Sequence, residues 1–577
     1  MFPPLPFSLP PGLPRLLLGL GLLAVAGPIE AGCPEMETTP VHAVAGQGVE
    51  RLAADRAVTV EGVVTGTFMG EDRIDGFFIQ GRDPAPDGKP SGVFVYAPDL
   101  AGSAAERIEP GSRLRLVGRT GLFHGRPQLE ELDRIRDCGT EEVRTHSVRL
   151  PLERRQRFEG VRLAFQRPLT VTGNHRLGRY GTLALASGGR AFQPGNFPPG
   201  EGPPEPRRPG GRLLLDDGRY SRAPSPVPYL NEAGTRRIGS RVVGLTGILT
   251  RAFEAWRIHP TEPPRFRATN PRPDPLPSPG RDRLRVAAFN LDNYFLEGAE
   301  RGAGSASALR RQRAKLFAAI GHLEADVLVL VEVANRDAAV SDFVERLRRR
   351  SGAPWHRLGA PGTGQGELRV ALAYRRDRVA PTGKRRRDRR AVHDRPPLVA
   401  GFRSQEGGAP FAVAAVHFKS KGGCPKVGDT DSGQGCWNRR RTEQARALTG
   451  FLEEWREDGG APVVIAGDIN AYGGEDPVRA LAAAGYTDLI AERVPPRRRY
   501  TFVYDGQAGY LDHLHAAAPL AERAAAVHLH PINADEPAFL AYDRGGPDGR
   551  YVTSDAFRAS DHDPVAVDVL RRPHSQP

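Results

Sequence analysis

Residues 463–477, VVIAGDINAYGGEDP, begin as an apolar strand and end in an acid and an amide. Four apolar residues precede Gly467, Asp468 and Asn470, and a loop rich in glycine and acids follows. Asp and Asn are common at turns because their side chains bond to nearby backbone groups. A single strand end of this kind therefore says little about function.

The pattern recurs along the last part of the chain, where apolar runs end in residues that can bind a metal or a phosphate. The further examples are RVAAFN at Asn290, DVLVLVE at Glu332, FAVAAVH at His417, GYLDH at Asp512 and ASDHDPV at Asp561 and His562. Strands that carry such groups at corresponding ends converge on one edge of a sheet. Oxygen ligands suit Mg²⁺, Mn²⁺ or Ca²⁺, and imidazole suits proton transfer, so the set indicates metal-assisted phosphodiester hydrolysis.

Length and composition predict several folded domains. A chain of 577 residues is too long for one core, and its 67 glycines and 53 prolines favour many turns and short strands. A net charge of +13 favours a polyanionic partner, either nucleic acid or an anionic membrane surface. Surface solubility explains the same charge, so composition alone does not choose among these readings.

The N-terminus resembles an export signal. The apolar run at residues 16–27 is too short to span a bilayer, but it has the length of a signal-peptide core. We expect a signal at residues 1–31 and a mature protein that is soluble outside the cytoplasm, without stable membrane association. A lipid anchor on Cys33 is disfavoured because Glu30 stands where an apolar residue is expected.

The four cysteines form an N-terminal and a C-terminal pair along the sequence. In an exported protein an even number favours disulfides, and we predict Cys33 with Cys138 and Cys424 with Cys436. A metal site built from these cysteines is disfavoured because no CxxC spacing occurs.

The texture of the sequence divides it into four parts after the signal. Residues 40–139 contain short alternating runs that suggest a small barrel and resemble the oligonucleotide/oligosaccharide-binding (OB) fold. Residues 140–272 form a second β-rich segment, and residues 273–283 are a proline-rich linker. From 284 to 571, strands alternate with helical patterns, which predicts an α/β domain.

Six motifs in order carry a family resemblance. FNLDNYF, VLVEVAN, HFKSKGG, GDINAYG, TFVYDGQAGYLDH and SDHDPV resemble those of the endonuclease/exonuclease/phosphatase superfamily, which has the DNase I-like fold. With the β-rich first half and the cysteine loop, the chain is similar to bacterial extracellular deoxyribonucleases. The resemblance implies a four-layer α/β sandwich, preceded by small all-β domains, that acts as a metal-dependent phosphodiesterase.

The resemblance also implies a metal and a base. Glu332 corresponds to the principal metal ligand, with Asn290 and Asp561 nearby. Asp468 corresponds to the residue that orients or deprotonates the attacking water, and Asn470 to the residue that bonds the scissile phosphate.

Two histidines complete the implied site. His562, oriented by Asp512, would stabilise the developing charge or donate a proton, and His417 would contact the phosphate from the other side. A carboxylate beside His562 is expected to raise the pKa of that imidazole.

Three further residues have open assignments. The superfamily usually places an acid before the strand that reads RVALAYR here, and Glu367 takes that place one residue out of register, or else His417 lacks this partner. Lys419 and Lys421 lie where they could meet phosphates, or they are exposed bystanders.

The sequence therefore predicts a secreted nuclease of low sequence specificity that acts on DNA, with RNA left open. Mg²⁺ is the expected metal, with Mn²⁺ or Ca²⁺ as alternatives. The rivals are a phospholipid or sphingolipid phosphodiesterase on the same fold and a non-catalytic nucleic-acid-binding protein. Arginine-rich runs such as GKRRRDRR favour nucleic acid, and the intact motif set disfavours a degenerate site. Oligomeric state, metal count and internal against terminal cleavage stay open.

Overall fold

A computed structural model describes residues 30–31, 33–45, 53–70, 72–82, 91–100, 103–202, 211–359, 366–544 and 549–572. The chain divides into two compact units: Pro3–Gly189 with Pro206–Thr269, and Arg190–Glu205 with Asn270–Pro577. The predicted export signal falls outside the described residues except for positions 30 and 31. Within those described ranges, no helix is long and apolar enough to cross a membrane.

The first unit begins with a closed ring of strands. The elements are β1 (Glu30–Ala31), α1 (Val41–Ala45), β2 (Ala57–Phe68), β3 (Gly76–Gln80), β4 (Gly92–Tyr96), α2 (Ser103–Glu106), β5 (Ser112–Phe123) and β6 (Arg126–Thr140). Pairing runs β2–β3–β4–β6–β5 and returns from β5 to β2, while β1 adds to β6. Alternate apolar residues fill the ring, among them Val60, Phe77 and Leu116.

A nine-stranded sheet completes this unit. Its elements are β7 (His146–Val148), β8 (Arg162–Phe165), β9 (Leu169–Gly173), α3 (Leu177–Tyr180), β10 (Thr182–Ala186), β11 (Arg212–Asp216), β12 (Arg241–Val243), β13 (Thr246–Ala252), β14 (Ala255–Pro260) and β15 (Arg265–Arg267). The spatial order is β15-β12-β9-β10-β11-β14-β13-β8-β7. The β-rich character predicted for this half of the chain is confirmed.

The second unit alternates strands and helices. Its first half has β16 (Arg283–Tyr294), α4 (Ala306–Gly321), β17 (Val327–Ala334), α5 (Asp337–Ser351), β18 (Trp355–Arg357), β19 (Leu368–Arg375), β20 (Val379–Arg387), β21 (Leu398–Ser404) and β22 (Phe411–His417). Its second half has α6 (Asn438–Glu457), β23 (Val463–Asp468), α7 (Asp476–Ala483), β24 (Tyr486–Asp488), α8 (Leu489–Arg493), β25 (Phe502–Tyr504), β26 (Gln507–Gly509), β27 (Asp512–Ala517), α9 (Ala518–Ala521), β28 (Ala524–Leu529) and β29 (Val565–Leu570).

Two six-stranded sheets of the second unit pack face to face. Sheet I has the order β18-β19-β17-β16-β29-β28, and sheet II has the order β20-β21-β22-β23-β27-β24. A core between them takes Val329 from sheet I and Val413 from sheet II. Helices α4 and α5 cover the outer face of sheet I, and α6 and α7 cover that of sheet II. The predicted mixed α/β fold is confirmed, and its layers are helix, sheet, sheet, helix.

Strand β17 shows how the sequence produces this sandwich. In VLVLVEVA, Val327, Val329 and Val331 face the inter-sheet core, and Leu328 and Leu330 face the helices. A strand buried on both faces needs apolar residues at every position, which explains its unbroken apolar run.

Segment Arg190–Glu205 groups with the second unit, although it lies within the predicted second β-rich domain. Asn196 is fully buried there, and its amide accepts from the Tyr510 backbone at 2.9 Å and donates to the Arg499 carbonyl at 3.0 Å. Arg190 pairs with Asp535 at 2.7 Å. The boundaries at residues 139, 272 and 283 stay predictions.

Both predicted disulfides are present. Cys33 bonds to Cys138 at the end of β6, and Cys424 bonds to Cys436 just before α6. The second bridge closes a loop with a sequence separation of 12 residues. Asp429 in that loop accepts from the backbone N–H groups of Arg439 and Arg440, which satisfies two donors of the first turn of α6.

Reduction of the loop disulfide is expected to lower the free energy of unfolding by up to about 3 kcal/mol, because the open loop gains entropy in the unfolded chain. The measurement is the melting temperature with and without dithiothreitol, compared between the wild type and the Cys424→Ser/Cys436→Ser variant. The variant should start lower and respond less to dithiothreitol. Equal melting temperatures for the two oxidised proteins would contradict this contribution.

Candidate catalytic edge

Three polar residues line up across the neighbouring strands of sheet II. His417 at the end of β22 pairs in register with Asp468 at the end of β23, and Asp468 pairs with Asp512 at the start of β27. Gly467 permits this spacing, since a Cβ atom there would lie 2.2 Å from the Val416 carbonyl oxygen. The opening motif therefore supplies the middle of a polar row.

Sheet I contributes its groups through left-handed backbone. Alternation along β17 would direct Glu332 towards the helices, because Val331 faces the inter-sheet core. Glu332 has φ of 59°, and Asp292 and Asn293 of β16 have φ of 50° and 63°. These residues break the alternation where the pairing register of β16 and β17 shifts. Glu332 Oε1 consequently lies 3.9 Å from His417 Nε2 of the opposite sheet.

The two sheets meet at Asp468. Asn290 Nδ2 donates to Asp468 Oδ2 at 3.3 Å, and His417 Nε2 lies 3.7 Å from the same oxygen. The backbone N–H of Asn470 donates to Asp468 Oδ1 at 2.7 Å. Each oxygen of this buried carboxylate thus has a fixed neighbour, which sets its orientation.

Asn470 is held by the backbone rather than left free. The Asn470 backbone adopts the left-handed region with φ of 53°, and the side-chain Nδ2 donates to the Phe418 carbonyl at 3.2 Å. Only 8% of the residue is exposed. The predicted phosphate ligand therefore lies at the edge with Asp468, with its amide nitrogen already engaged.

A second chain of hydrogen bonds organises His562. Its Nδ1 lies 2.8 Å from Asp512 Oδ2, and that oxygen also accepts from Thr501 Oγ1 at 2.7 Å. Burial lowers the pKa of His562, but the charge and hydrogen bond of Asp512 outweigh it, and the pKa lies well above its ordinary value. The imidazole is therefore protonated at neutral pH, and Nε2 remains as its second donor.

His417 has the opposite charge state. Burial lowers its pKa well below the ordinary value, and the cationic groups of Arg395, His562 and Arg301 lower it further. A neutral imidazole beside a cationic one gives the edge one weak and one strong hydrogen-bond donor.

Carboxylates crowd the sheet I side of the edge. Burial raises the pKa of Asp292 to about 8, and the charges of Asp561 and Glu332 add to the shift. Burial and the charge of Asp561 also raise the pKa of Glu332. Burial raises the pKa of Asp468 to about 7, opposed by His562 and supported by Asp512. The folded protein thus keeps protons on carboxyl groups that would otherwise repel one another.

This donor set fits a divalent cation. Asn290, Asp292, Glu332 and Asp561 offer amide and carboxylate oxygens, which are the ligands that Mg²⁺, Mn²⁺ and Ca²⁺ accept. A cation there would replace the protons and remove the repulsion that raises these pKa values.

Sequence reasoning missed Asp292 and Arg395. Asp292 has a detectable signal, because it stands two residues after Asn290 and alternation gives both the same face. Arg395 lies in the loop before β21, where no strand end announces it. Its guanidinium donates to the Phe418 carbonyl, and its charge acts on Glu332 and Asp468.

The positions of Glu367, Lys419 and Lys421 bear on the three assignments that the sequence leaves open. Glu367 is exposed and pairs with Arg301 at 3.2 Å, and no hydrogen bond or ion pair of the described residues joins it to His417. Lys421 pairs with buried Glu475 at 2.5 Å and donates to the Gln434 carbonyl at 2.6 Å. Lys419 stands 5.0 Å from the centre of the Trp437 ring. Of the two lysines, Lys419 is the one whose ammonium group makes no ion pair among the described residues.

Comparison with known proteins finds a family similarity over the segment that contains the edge. Residues 287–562 match the model of the Endonuclease/Exonuclease/phosphatase family, whose members include nucleases, phosphatases and phosphodiesterases and are usually metal-dependent hydrolases. The matched segment contains Asn290, Glu332, Asp468 and His562. No curated protein sequence matches the chain.

Solved structures resemble half of the chain at low identity. The human Nocturnin catalytic domain with bound sulfate anion is 15% identical, covers 50% of this chain and 93% of its own, and has a TM-score of 0.33. The mannosyl-6-phosphatase Bt3783 of Bacteroides thetaiotaomicron is 16% identical, with 50% and 99% coverage and a TM-score of 0.33. D. rerio TDP2 complexed with single strand DNA product is 17% identical, with 50% and 98% coverage and a TM-score of 0.32.

The raised pKa values predict a metal affinity that depends on pH. Below pH about 8, Asp292 holds a proton that the cation must displace, so Mg²⁺ should bind more tightly at pH 8 than at pH 6. Titration calorimetry in two buffers of different ionisation enthalpy measures both the affinity and the protons released. Asp292→Asn should weaken binding and flatten the dependence. Equal wild-type affinity at both pH values would contradict the displacement of a proton from Asp292 by the cation.

Proposed function

We propose that the protein is a secreted, divalent-metal-dependent nuclease that hydrolyses phosphodiester bonds of extracellular DNA with low sequence specificity. One observation carries this proposal: an oxygen-rich cluster of sheet I faces the buried row of His417, Asp468 and Asp512 of sheet II. The family match over residues 287–562 supports hydrolysis of a phosphate ester. The two disulfides support an oxidising compartment.

The metal belongs on the sheet I side of the edge. Asn290, Asp292, Glu332 and Asp561 would hold it, and when bound it supplies charge neutralisation to the phosphate. Mg²⁺ is the first choice, because the donor set is entirely oxygen.

Asp468 is the proposed base. Its pKa of about 7 lets it accept a proton from the attacking water near neutral pH. Asn290 and the Asn470 N–H fix its two oxygens, so the carboxylate is preorganised before substrate arrives. Asn470 would at the same time lie against the scissile phosphate.

His562 is the proposed source of positive charge opposite the water. Asp512 bonds its Nδ1 and keeps it protonated, so Nε2–H can donate to a phosphate oxygen or to the leaving oxygen. Neutral His417 adds a donor from the other strand, and Arg395 adds a fixed cation near Glu332 and Asp468. The edge then presents a base on one side of the phosphate and proton donors on the other.

One feature supports DNA over a lipid as substrate. The net charge of +13 favours a polyanion, but DNA and an anionic membrane surface both satisfy it. The ring of β2 to β6 has five strands and closes on itself, as OB barrels do, and this supports an accessory nucleic-acid-binding role for the first unit. Hydrolysis of sphingomyelin in the activity assay tests the lipid alternative.

Asp468→Asn should reduce the rate of DNA cleavage by about 10³-fold or more, because the neutral amide cannot accept the proton of water. Conversion of supercoiled plasmid is the assay, run with Mg²⁺, with Mn²⁺ and with chelator, beside hydrolysis of sphingomyelin. Asp458→Asn, which changes an exposed acid that pairs with Arg386, is the matched control and should leave the rate unchanged.

Plasmid that stays intact with every metal, in a protein shown to be folded by its melting transition, would contradict the nuclease proposal. Turnover of sphingomyelin under the same conditions would favour the lipid alternative instead.

Asp512→Asn should change the pH profile as well as the rate. Asp512 raises the pKa of His562, so its loss lets the imidazole lose its proton at lower pH. The fall in kcat/KM for plasmid cleavage should therefore be larger at pH about 8.5 than at pH about 6. Asparagine can still accept from Thr501 Oγ1, which limits structural damage. An equal loss of kcat/KM at both pH values would contradict the proposal that Asp512 keeps His562 protonated, and would indicate a purely structural role.

A further inference from the structure

A second cluster of ligand-forming side chains lies on sheet II, away from the catalytic edge. Asp488 at the end of β24 and His513 and His515 of β27 each place one ligand atom within 4.8 Å of the others. His515 pairs in register with Asp488, and His513 lies two residues earlier on the same face. Both histidines are fully buried.

The cluster occupies the opposite face of β27 from the catalytic residues. Leu514 and Ala516 point into the inter-sheet core, so His513 and His515, which alternate with them, point towards the helices. Ile465, which pairs in register with His515, belongs to the core under α6 and α7. The roles proposed for the catalytic edge therefore leave these histidines unexplained.

Three of the four imidazole nitrogens have no hydrogen-bond partner among the described residues of the protein. Nδ1 of His513 and both ring nitrogens of His515 are buried without a hydrogen-bond partner. The Tyr486 backbone lies near His515, but no hydrogen bond of good geometry forms. A buried polar atom without a partner costs free energy, so three of them in one cluster require an explanation.

His513 has the tautomer of a metal ligand. Its Nε2 lies 2.8 Å from the Ala471 carbonyl, and since a carbonyl only accepts, this nitrogen carries the hydrogen. Nδ1 consequently presents a lone pair to the cluster. Histidines that bind metals commonly donate their other N–H to a carbonyl or carboxylate in this way.

Asp488 is similarly preoriented. Its Oδ1 accepts from the backbone N–H groups of Ile490 and Ala491 at the start of α8, and its Oδ2 accepts from Tyr510 Oη at 3.0 Å. Strand β24 is at the edge of sheet II, and Asp488 is only partly buried. An ion can therefore reach the cluster from this side.

We propose that Asp488, His513 and His515 form a structural site for a transition-metal ion of the zinc class. Two imidazole nitrogens and one carboxylate oxygen suit Zn²⁺, whereas Mg²⁺ and Ca²⁺ select oxygen. Tetrahedral zinc with bonds of about 2.0–2.1 Å holds its ligands about 3.3 Å apart, so the atoms must approach by at most about 1.5 Å. Rotation of the His515 side chain, whose ring nitrogens hold no hydrogen bond within the described part of the chain, can supply that approach, and water would complete the coordination.

Such an ion would join the edge of sheet II to its interior. It would tie β24 and the start of α8, through Asp488, to β27, which continues from Asp512 of the catalytic edge. The expected effect is on stability and on zinc content, with no direct part in chemistry.

Zinc content of purified full-length protein tests the site. After equilibration with micromolar Zn²⁺ and gel filtration, the wild type should retain about one ion per chain beyond the content of the His515→Gln variant. Glu332→Gln, which disables the oxygen cluster at the catalytic edge, should retain this ion, and so should the half-buried control His356→Gln. This comparison separates the zinc site from the proposed catalytic metal.

Co²⁺ substitution gives a second readout that does not depend on the folding of the His515→Gln variant. The wild type and Glu332→Gln should both show the visible absorption of four-coordinate Co²⁺, and Zn²⁺ should abolish it. Zn²⁺ should also raise the melting temperature of Glu332→Gln. If the wild type retains no zinc, the two histidines are a buried neutral pair without a metal, and the proposal is wrong. Zinc content unchanged in a folded His515→Gln protein overturns it as well.

Discussion

Repulsion among neighbouring carboxylates, one buried and two partly buried, is the constraint on which the catalytic edge depends. Asp292, Glu332 and Asp468 lie where two sheets meet, and burial together with their neighbours' charges raises the pKa of each. In the absence of a cation, the folded protein relieves this repulsion by retaining protons. A divalent ion relieves it more completely, so the same arrangement that destabilises the metal-free protein produces affinity for metal. Perturbed titration at such a cluster is typical of a functional site.

The backbone is strained in order to build this cluster. Glu332, Asp292 and Asn470 are non-glycine residues with positive φ, a conformation that costs free energy and persists where the surrounding structure enforces it. At Glu332 the departure turns a carboxylate from the helix side of β17 to the inter-sheet side. The apolar alternation of the two sheets supplies the enforcement, because slipping either strand would expose its core residues.

The sequence predicts a large part of this structure, and the misses have physical causes. Strand ends that carry Asn290, Glu332, His417 and Asp468 are visible because apolar runs stop there, and their convergence follows from sheet geometry. Arg395 is invisible because loop residues have no periodicity to place them. Lys421 reads as an exposed lysine, yet it is paired with Glu475, 54 residues away in the sequence. For Glu367 the sequence leaves two alternatives, a partner of His417 or no such partner, and the side chain pairs with Arg301. Long-range pairings of this kind, and the grouping of residues 190–205 with the second unit, leave no local signal.

Anomalous diffraction from a crystal equilibrated with Mn²⁺ would locate the cation. We expect a manganese peak at the edge between the two sheets, bound by oxygens from among Asn290, Asp292, Glu332 and Asp561, and lost in Glu332→Gln. A well-ordered edge without a manganese peak, or a peak that persists in that variant, would contradict the claim that the carboxylates are gathered to hold a cation.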